Sequence, residues 1–168
     1  MKFNFQALKA IYLHEMDRFR RTLTQSLLSP VLSTSLYFIV FGSVIGGYVQ
    51  KIDGISYGSY IVPGLLMLTL LTQSISNTSF GIFFPKFNGT IYEILAAPIS
   101  TFEVVLAFVG AGATKTLIVG VMIFITSMFF VDVEVKYPLL MIFLLVLVSF
   151  TFALFGFLIG LMLSLIHI

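Results

Sequence analysis

The chain has 168 residues, of which 59% are hydrophobic and only 10% charged, with a formal net charge of +2. A soluble domain carries roughly 25% charged residues, so this composition points to a membrane protein and excludes an ordinary globular enzyme. There is no cysteine, which removes disulfides, thiolate metal sites and a cysteine nucleophile, and no tryptophan, so the seven tyrosines must supply any aromatic belt.

In chain order, residues 3–24 come first. Phe5, Leu8, Tyr12, Met16 and Phe19 recur at spacings of three and four, while Gln6, Lys9, Glu15, Arg18 and Arg20 fall elsewhere. That spacing predicts a one-sided helix lying in the membrane interface, its apolar face below the headgroups. The alternative is a solvated helix packed on another subunit. This opening stretch is too long and amphipathic for a cleavable signal peptide.

Four apolar runs follow, at about 29–49, 57–80, 102–131 and 139–163. About 20 residues rising 1.5 Å each cross a hydrocarbon core of roughly 30 Å, so each run predicts a spanning helix. Pro30 and Pro63 are expected near helix starts, where the missing N–H costs little. The fold class expected is therefore all-α: a polytopic bundle of four spans plus the interfacial helix, in one domain over 1–168. Lys2, Lys9, Arg18, Arg20, Arg21 and Lys86 fall on one side of the membrane, against Lys51 and Lys136 on the other. Positive charge favours the cytoplasm, which puts the N-terminus and the interval after the second run inside.

Several signals invite a chemical reading. Gly110 to Thr116 superficially resembles a phosphate-binding loop, but Thr114 stands where glycine is needed and the segment lies within an apolar helix. Its small residues instead suit close helix approach, as do Gly42-xxx-Gly46 and Gly156-xxx-Gly160. Lys115 is charged within a span, costing about 2.5–3.5 kcal/mol unless it snorkels or finds a partner. It is either a substrate or gating contact or a stem reaching an interface or carbonyl, and Glu103 is too far away to help. The face carrying Thr69, Gln73, Ser76 and Asn77 either lines an aqueous path, together with Lys115, or makes hydrogen bonds between helices. His14 and His167 have no partners for metal or triad chemistry, and no catalytic set is present. No metal, no cofactor bound by this chain and no nucleic-acid partner is expected.

The interval over 85–98 remains. Ile91, Ile94 and Leu95 recur at helical spacing behind an Asn88-Gly89 turn, and Pro98 closes the segment. This predicts a short surface helix with Lys86 and Glu93 exposed beside it. Connections in helix bundles usually run about 2–8 residues, so a longer, patterned one suits docking by a soluble partner.

At these residues the chain resembles the permease subunits of ABC exporters of the ABC-2 type. The resemblance rests on the basic amphipathic helix, the Pro30-containing first span, the stretch from Ser59 through Pro63 to Leu65, and above all Gly89, Thr90, Glu93, Leu95, Pro98 and Ser100 between the second and third spans. It implies that Lys86, Gly89, Thr90, Glu93, Leu95 and Pro98 form a coupling helix docked on an ATP-binding subunit, with ATP and magnesium held by that partner. It further implies a second permease subunit, as a homodimer, in a bacterial inner membrane, and substrates among drugs, lipids or glycan-linked lipids. Such permeases usually have six spans. Residues 163–168 look unlike the expected continuation, which suggests a truncated or spliced frame. A self-contained channel or scaffold, and more remotely an intramembrane enzyme, are the competing readings.

Overall fold

The computed structural model describes residues 3–45, 48, 51–52, 54–133 and 135–163. Lys2, Gly46, Val49, His167 and the rest of the terminal 164–168 segment lie outside the described residues. Helix α1 covers Phe5–Arg21 and α2 covers Leu23–Tyr37, continuing as a wider π-helical stretch over Phe38–Ile45. A minimal antiparallel hairpin follows, Lys51–Ile52 (β1) with Ile55–Ser56 (β2), turned at Gly54 with φ 82°. Then come α3 (Tyr57–Asn88), α4 (Ile91–Ala96), α5 (Thr101–Met128) and α6 (Pro138–Met162). Among the described residues, four helices are long and apolar enough to cross a membrane: Leu23–Gly42, Tyr57–Asn88, Thr101–Met128 and Pro138–Met162. The fold is an all-α polytopic bundle.

Two boundaries differ from the sequence reading. The first span begins at Leu23, so Pro30 sits inside α2 and is buried rather than opening it. Only Thr22 separates α1 from α2: its amide and its hydroxyl both donate to the carbonyls of Arg18 and Phe19, closing α1. Pro63 sits early in α3, which starts at Tyr57 as the sequence predicts. The second span does not stop near Phe80. It continues through Pro85 to Asn88, so 32 residues reach about 48 Å at 1.5 Å each, well beyond the hydrocarbon core. A proline removes one helical hydrogen bond, and helices that cross membranes tolerate this when neighbours satisfy the freed groups.

The core is built where α3 meets α6 and α5. Every fourth residue of α3 is buried, from Gly58 through Val62, Leu66, Leu70, Ser74 and Thr78 to Ile82. That four-residue ridge runs between the other two helices. Its close contacts use glycine. A Cβ at Gly156 of α6 would lie 2.5 Å from the Ile75 carbonyl oxygen, and one at Gly160 would lie 2.7 Å from that of Ser79. On α5, a side chain at Gly112 would overlap the Thr78 hydroxyl, and one at Gly120 would come within 2.8 Å of Leu70. The Gly110–Thr116 stretch is thus helix-packing surface within α5, as its small residues suggest. One apolar cluster (Ile82, Phe108, Val109, Ala113, Ala153, Phe157) fills the end of the bundle nearest α4, and a second (Leu66, Leu70, Leu145) lies toward the hairpin.

Helix α1 does not stand apart from this bundle. It packs along α5 and buries Glu15 and Phe19. The helical period assigns Glu15 to the polar side, but the packed face is rotated from the apolar stripe, and Phe5 is left 65% exposed at its edge.

Candidate partner-docking site

Helix α3 ends at Gly89, whose φ of 77° is the left-handed cap that glycine adopts without Cβ strain. Its amide donates to the Lys86 carbonyl. The Thr90 hydroxyl reaches back to the Pro85 carbonyl at 3.5 Å. The chain reverses into α4, whose first turn forms from the amides of Tyr92 and Glu93 to the carbonyls of Gly89 and Thr90. Ile91 and Ile94 pack on the Ile82–Phe108–Phe157 cluster. The other edge carries Thr90, Glu93, Ala96 and Pro98, all exposed, with Tyr92 at 73% and Leu95 at 71%. Ala97 is extended ahead of Pro98, as the proline requires.

Ser100 then caps α5. Its hydroxyl accepts from the Glu103 amide at 3.3 Å while the Glu103 carboxylate accepts from the Ser100 amide at 2.7 Å, a reciprocal capping box. A second carboxylate oxygen of Glu103 accepts from the Asn4 amide. The 85–98 segment is therefore clamped at both ends, with an inward apolar edge and an outward edge of aromatic, aliphatic and acidic side chains.

Lys86 needs correction. The sequence reading leaves it exposed beside Glu93, but its ammonium turns away and donates to the carbonyls of Gly160 (3.2 Å), Leu161 (2.8 Å) and Leu163 (2.8 Å). A helix leaves its last carbonyls without intrahelical partners, and a cation is favoured there by the helix dipole. Lys86 is thus the cap of α6. The substitution Lys86→Met is expected to open the last turn of α6 by about 1.5–3 kcal/mol, the range for hydrogen bonds to a charged group. Amide exchange at Leu161–Leu163 would report this as roughly a ten- to hundred-fold acceleration.

On α3, Thr69 bonds the Leu65 carbonyl (2.8 Å), the Asn77 amide bonds the Gln73 side-chain oxygen (3.5 Å), and Ser76 is exposed. Among the described residues, none of these four side chains bonds to another helix. Ser74, on the buried side of α3, does bond across helices, to the Ser149 carbonyl of α6 at 3.2 Å. Lys115 lies on α5 and is 3% exposed. Instead of reaching an interface or a carbonyl, its ammonium lies 2.7 Å from the carboxylate of Glu15 on α1, the partner that a charge within a span needs. Glu15 is the residue sequence reasoning missed. The available signal was one of only two acids, Glu15 and Asp17, in a basic amphipathic helix and a single base in an apolar one. Among the described residues, no three His, Asp or Glu gather as a metal site would need.

The description "ABC-2 type transporter" belongs to the family model matched by residues 6–168. The chain is 38% identical over 154 residues to proteins named "Inner membrane transport permease YadH" from Escherichia coli K12, Escherichia coli O157:H7 and Shigella flexneri. That match covers 92% of this chain and 60% of each relative, so the chain spans about three-fifths of their length. No solved structure matches it. With the amphipathic first helix, the long paired spans and the clamped helix between them now placed, the family match is consistent over nearly the whole length, and the chain belongs to the ABC-2 type transporter family.

Proposed function

We propose that this chain is the membrane-embedded permease component of an ATP-driven exporter in a bacterial inner membrane, and that the 85–98 segment receives its ATP-binding subunit on the cytoplasmic side. The transport reading is supported by the relatives, which are named as inner membrane transport permeases. The observation that carries the docking reading is the outward edge of α4. Tyr92 and Leu95 are large apolar groups left uncovered on a helix held between the ends of two spans, with Pro98 exposed just past its end. Aromatic and aliphatic anchors of that kind, beside a charge, are what a protein partner buries. Residues 1–168 act as one transmembrane permease domain, two copies pair, and the N-terminus is cytoplasmic. ATP and magnesium stay on the partner, and this chain contributes no catalytic residue. Thr69, Gln73, Ser76 and Asn77 line the path, a reading supported by the absence, among the described residues, of any hydrogen bond from them to another helix.

The decisive experiment is co-purification with the cognate ATP-binding subunit. Glu93→Lys, or deletion of Gly89 and Thr90, is expected to reduce retained partner about ten-fold or more, as loss of an interface anchor does. Undiminished retention overturns the docking reading. Ion or solute flux in vesicles holding this chain alone would instead favour a self-contained channel built on the polar face of α3.

A further inference from the structure

Helix α1 is fastened to α5 at three places that advance together. Asn4 donates to Glu103, the Tyr12 hydroxyl donates to the Thr114 hydroxyl at 3.1 Å, and Glu15 meets Lys115 at 2.7 Å. The order 4, 12, 15 against 103, 114, 115 means that the two helices run side by side in the same direction. The deeper attachment is buried, with Glu15 and Lys115 each 3% exposed. The Glu15 carboxylate also accepts from Arg18 at 2.9 Å, and the Arg18 guanidinium stands 5.9 Å over the ring of Phe84 on α3. Gly81 of α3 leaves the room this needs, since a Cβ there would lie 3.4 Å from the same carboxylate oxygen. The attachment at the other end, Glu103, is equally buried at 2% exposed and belongs to the capping box of α5 immediately after the docking segment.

We propose that Glu15 and Lys115 form a charge lock that makes α1 an integral piece of α5, so that the two helices move as one body instead of α1 floating on the bilayer surface. Glu15 and Lys115 are positioning residues in this scheme. Sliding α1 along α5 would pull apart a buried pair of opposite charges in a low-dielectric setting, and each would then be left unpaired. The drive for the movement, a push on 85–98, rests on the docking reading above; the lock itself does not.

The absence of native cysteine makes the test clean. Tyr12→Cys and Thr114→Cys, introduced together in the full chain, are bridged in membranes with a short reducible bis-methanethiosulfonate reagent. With the native pair, bridging is expected to be fast. In a Glu15→Lys background it slows about ten-fold or more, because three cations then face one another, and in Glu15→Lys with Lys115→Glu it recovers. Bridging unchanged in Glu15→Lys, or failing to recover in the swapped chain, overturns the lock. In the assembled complex with the ATP-binding subunit, bridged and reduced forms are expected to hydrolyse ATP within about two-fold of each other. Arrest that is relieved by reductant would show that α1 must slide along α5, and would overturn the one-body claim. If the ATP-binding subunit does not assemble, the docking reading fails, while the bridging rates still decide the lock.

Discussion

Glu15→Ala is expected to lower stability by about 3–5 kcal/mol, the range for removing one partner of a buried ion pair. The reason is asymmetric. The net contribution of the intact pair is small, because taking both charges from water offsets much of their attraction. Removing the carboxylate alone leaves the Lys115 ammonium 3% exposed among helices, with Arg18 also deprived of its partner. Substituting both at once, Glu15→Leu with Lys115→Met, is therefore expected to restore stability to within about 1–2 kcal/mol of the native chain, since no lone charge is left in the interior. Thermal unfolding in detergent of the native chain, the two single substitutions and the double measures this. A single substitution as mild as the double one would mean that water reaches Lys115 freely.

Gly156→Leu is expected to force α6 away from α3. A Cβ at this position would lie 2.5 Å from the carbonyl oxygen of Ile75 and 2.8 Å from its Cα, and these are backbone atoms within a helix. They have no rotamer to adopt, so the helices themselves must separate. The Ser74 bond to the Ser149 carbonyl and the Lys86 cap on α6 lie along the same contact and would be lost with it. Overpacking a core costs about 1–3 kcal/mol where side chains can adjust, and a clash with backbone belongs at or above the upper end. Thermal unfolding in detergent measures this loss as well. The control is Gly110→Ala on α5. Nothing lies within 4 Å of a Cβ at Gly110, and its stability is expected to change by no more than about 1 kcal/mol, in the favourable direction of helix propensity. Gly112, two residues on, is expected to fall between the two, because the atom in the way is the Thr78 hydroxyl, a side-chain group that can turn aside where the Ile75 backbone cannot.

The spans were legible because a bilayer imposes length and hydropathy on any helix that crosses it. The glycine-driven approach of α3, α5 and α6 was also visible, since Gly156 and Gly160 lie one turn apart. The ends of the helices were less so. Pro30 and Pro85 look like boundaries in the sequence, yet both sit inside helices, because one lost hydrogen bond is less costly than breaking a span. The fates of charged residues were the hardest to read. Periodicity assigns Glu15 and Lys86 to solvent, but each is claimed by a group more than 70 residues away: Lys115 for one, the last carbonyls of α6 for the other. Such pairings depend on which helices become neighbours, and no local pattern carries that information.

The segment between α3 and α5 arrives already shaped. Its left-handed glycine fixes one corner, its reciprocal Ser100–Glu103 cap fixes the other, and two isoleucines pin the middle to the bundle. A ligand protein meeting it has no loop to freeze, so little conformational entropy is lost on contact and more of the contact energy remains as affinity. The same stiffness means that displacement of this corner cannot be absorbed locally and must pass into the rods on either side.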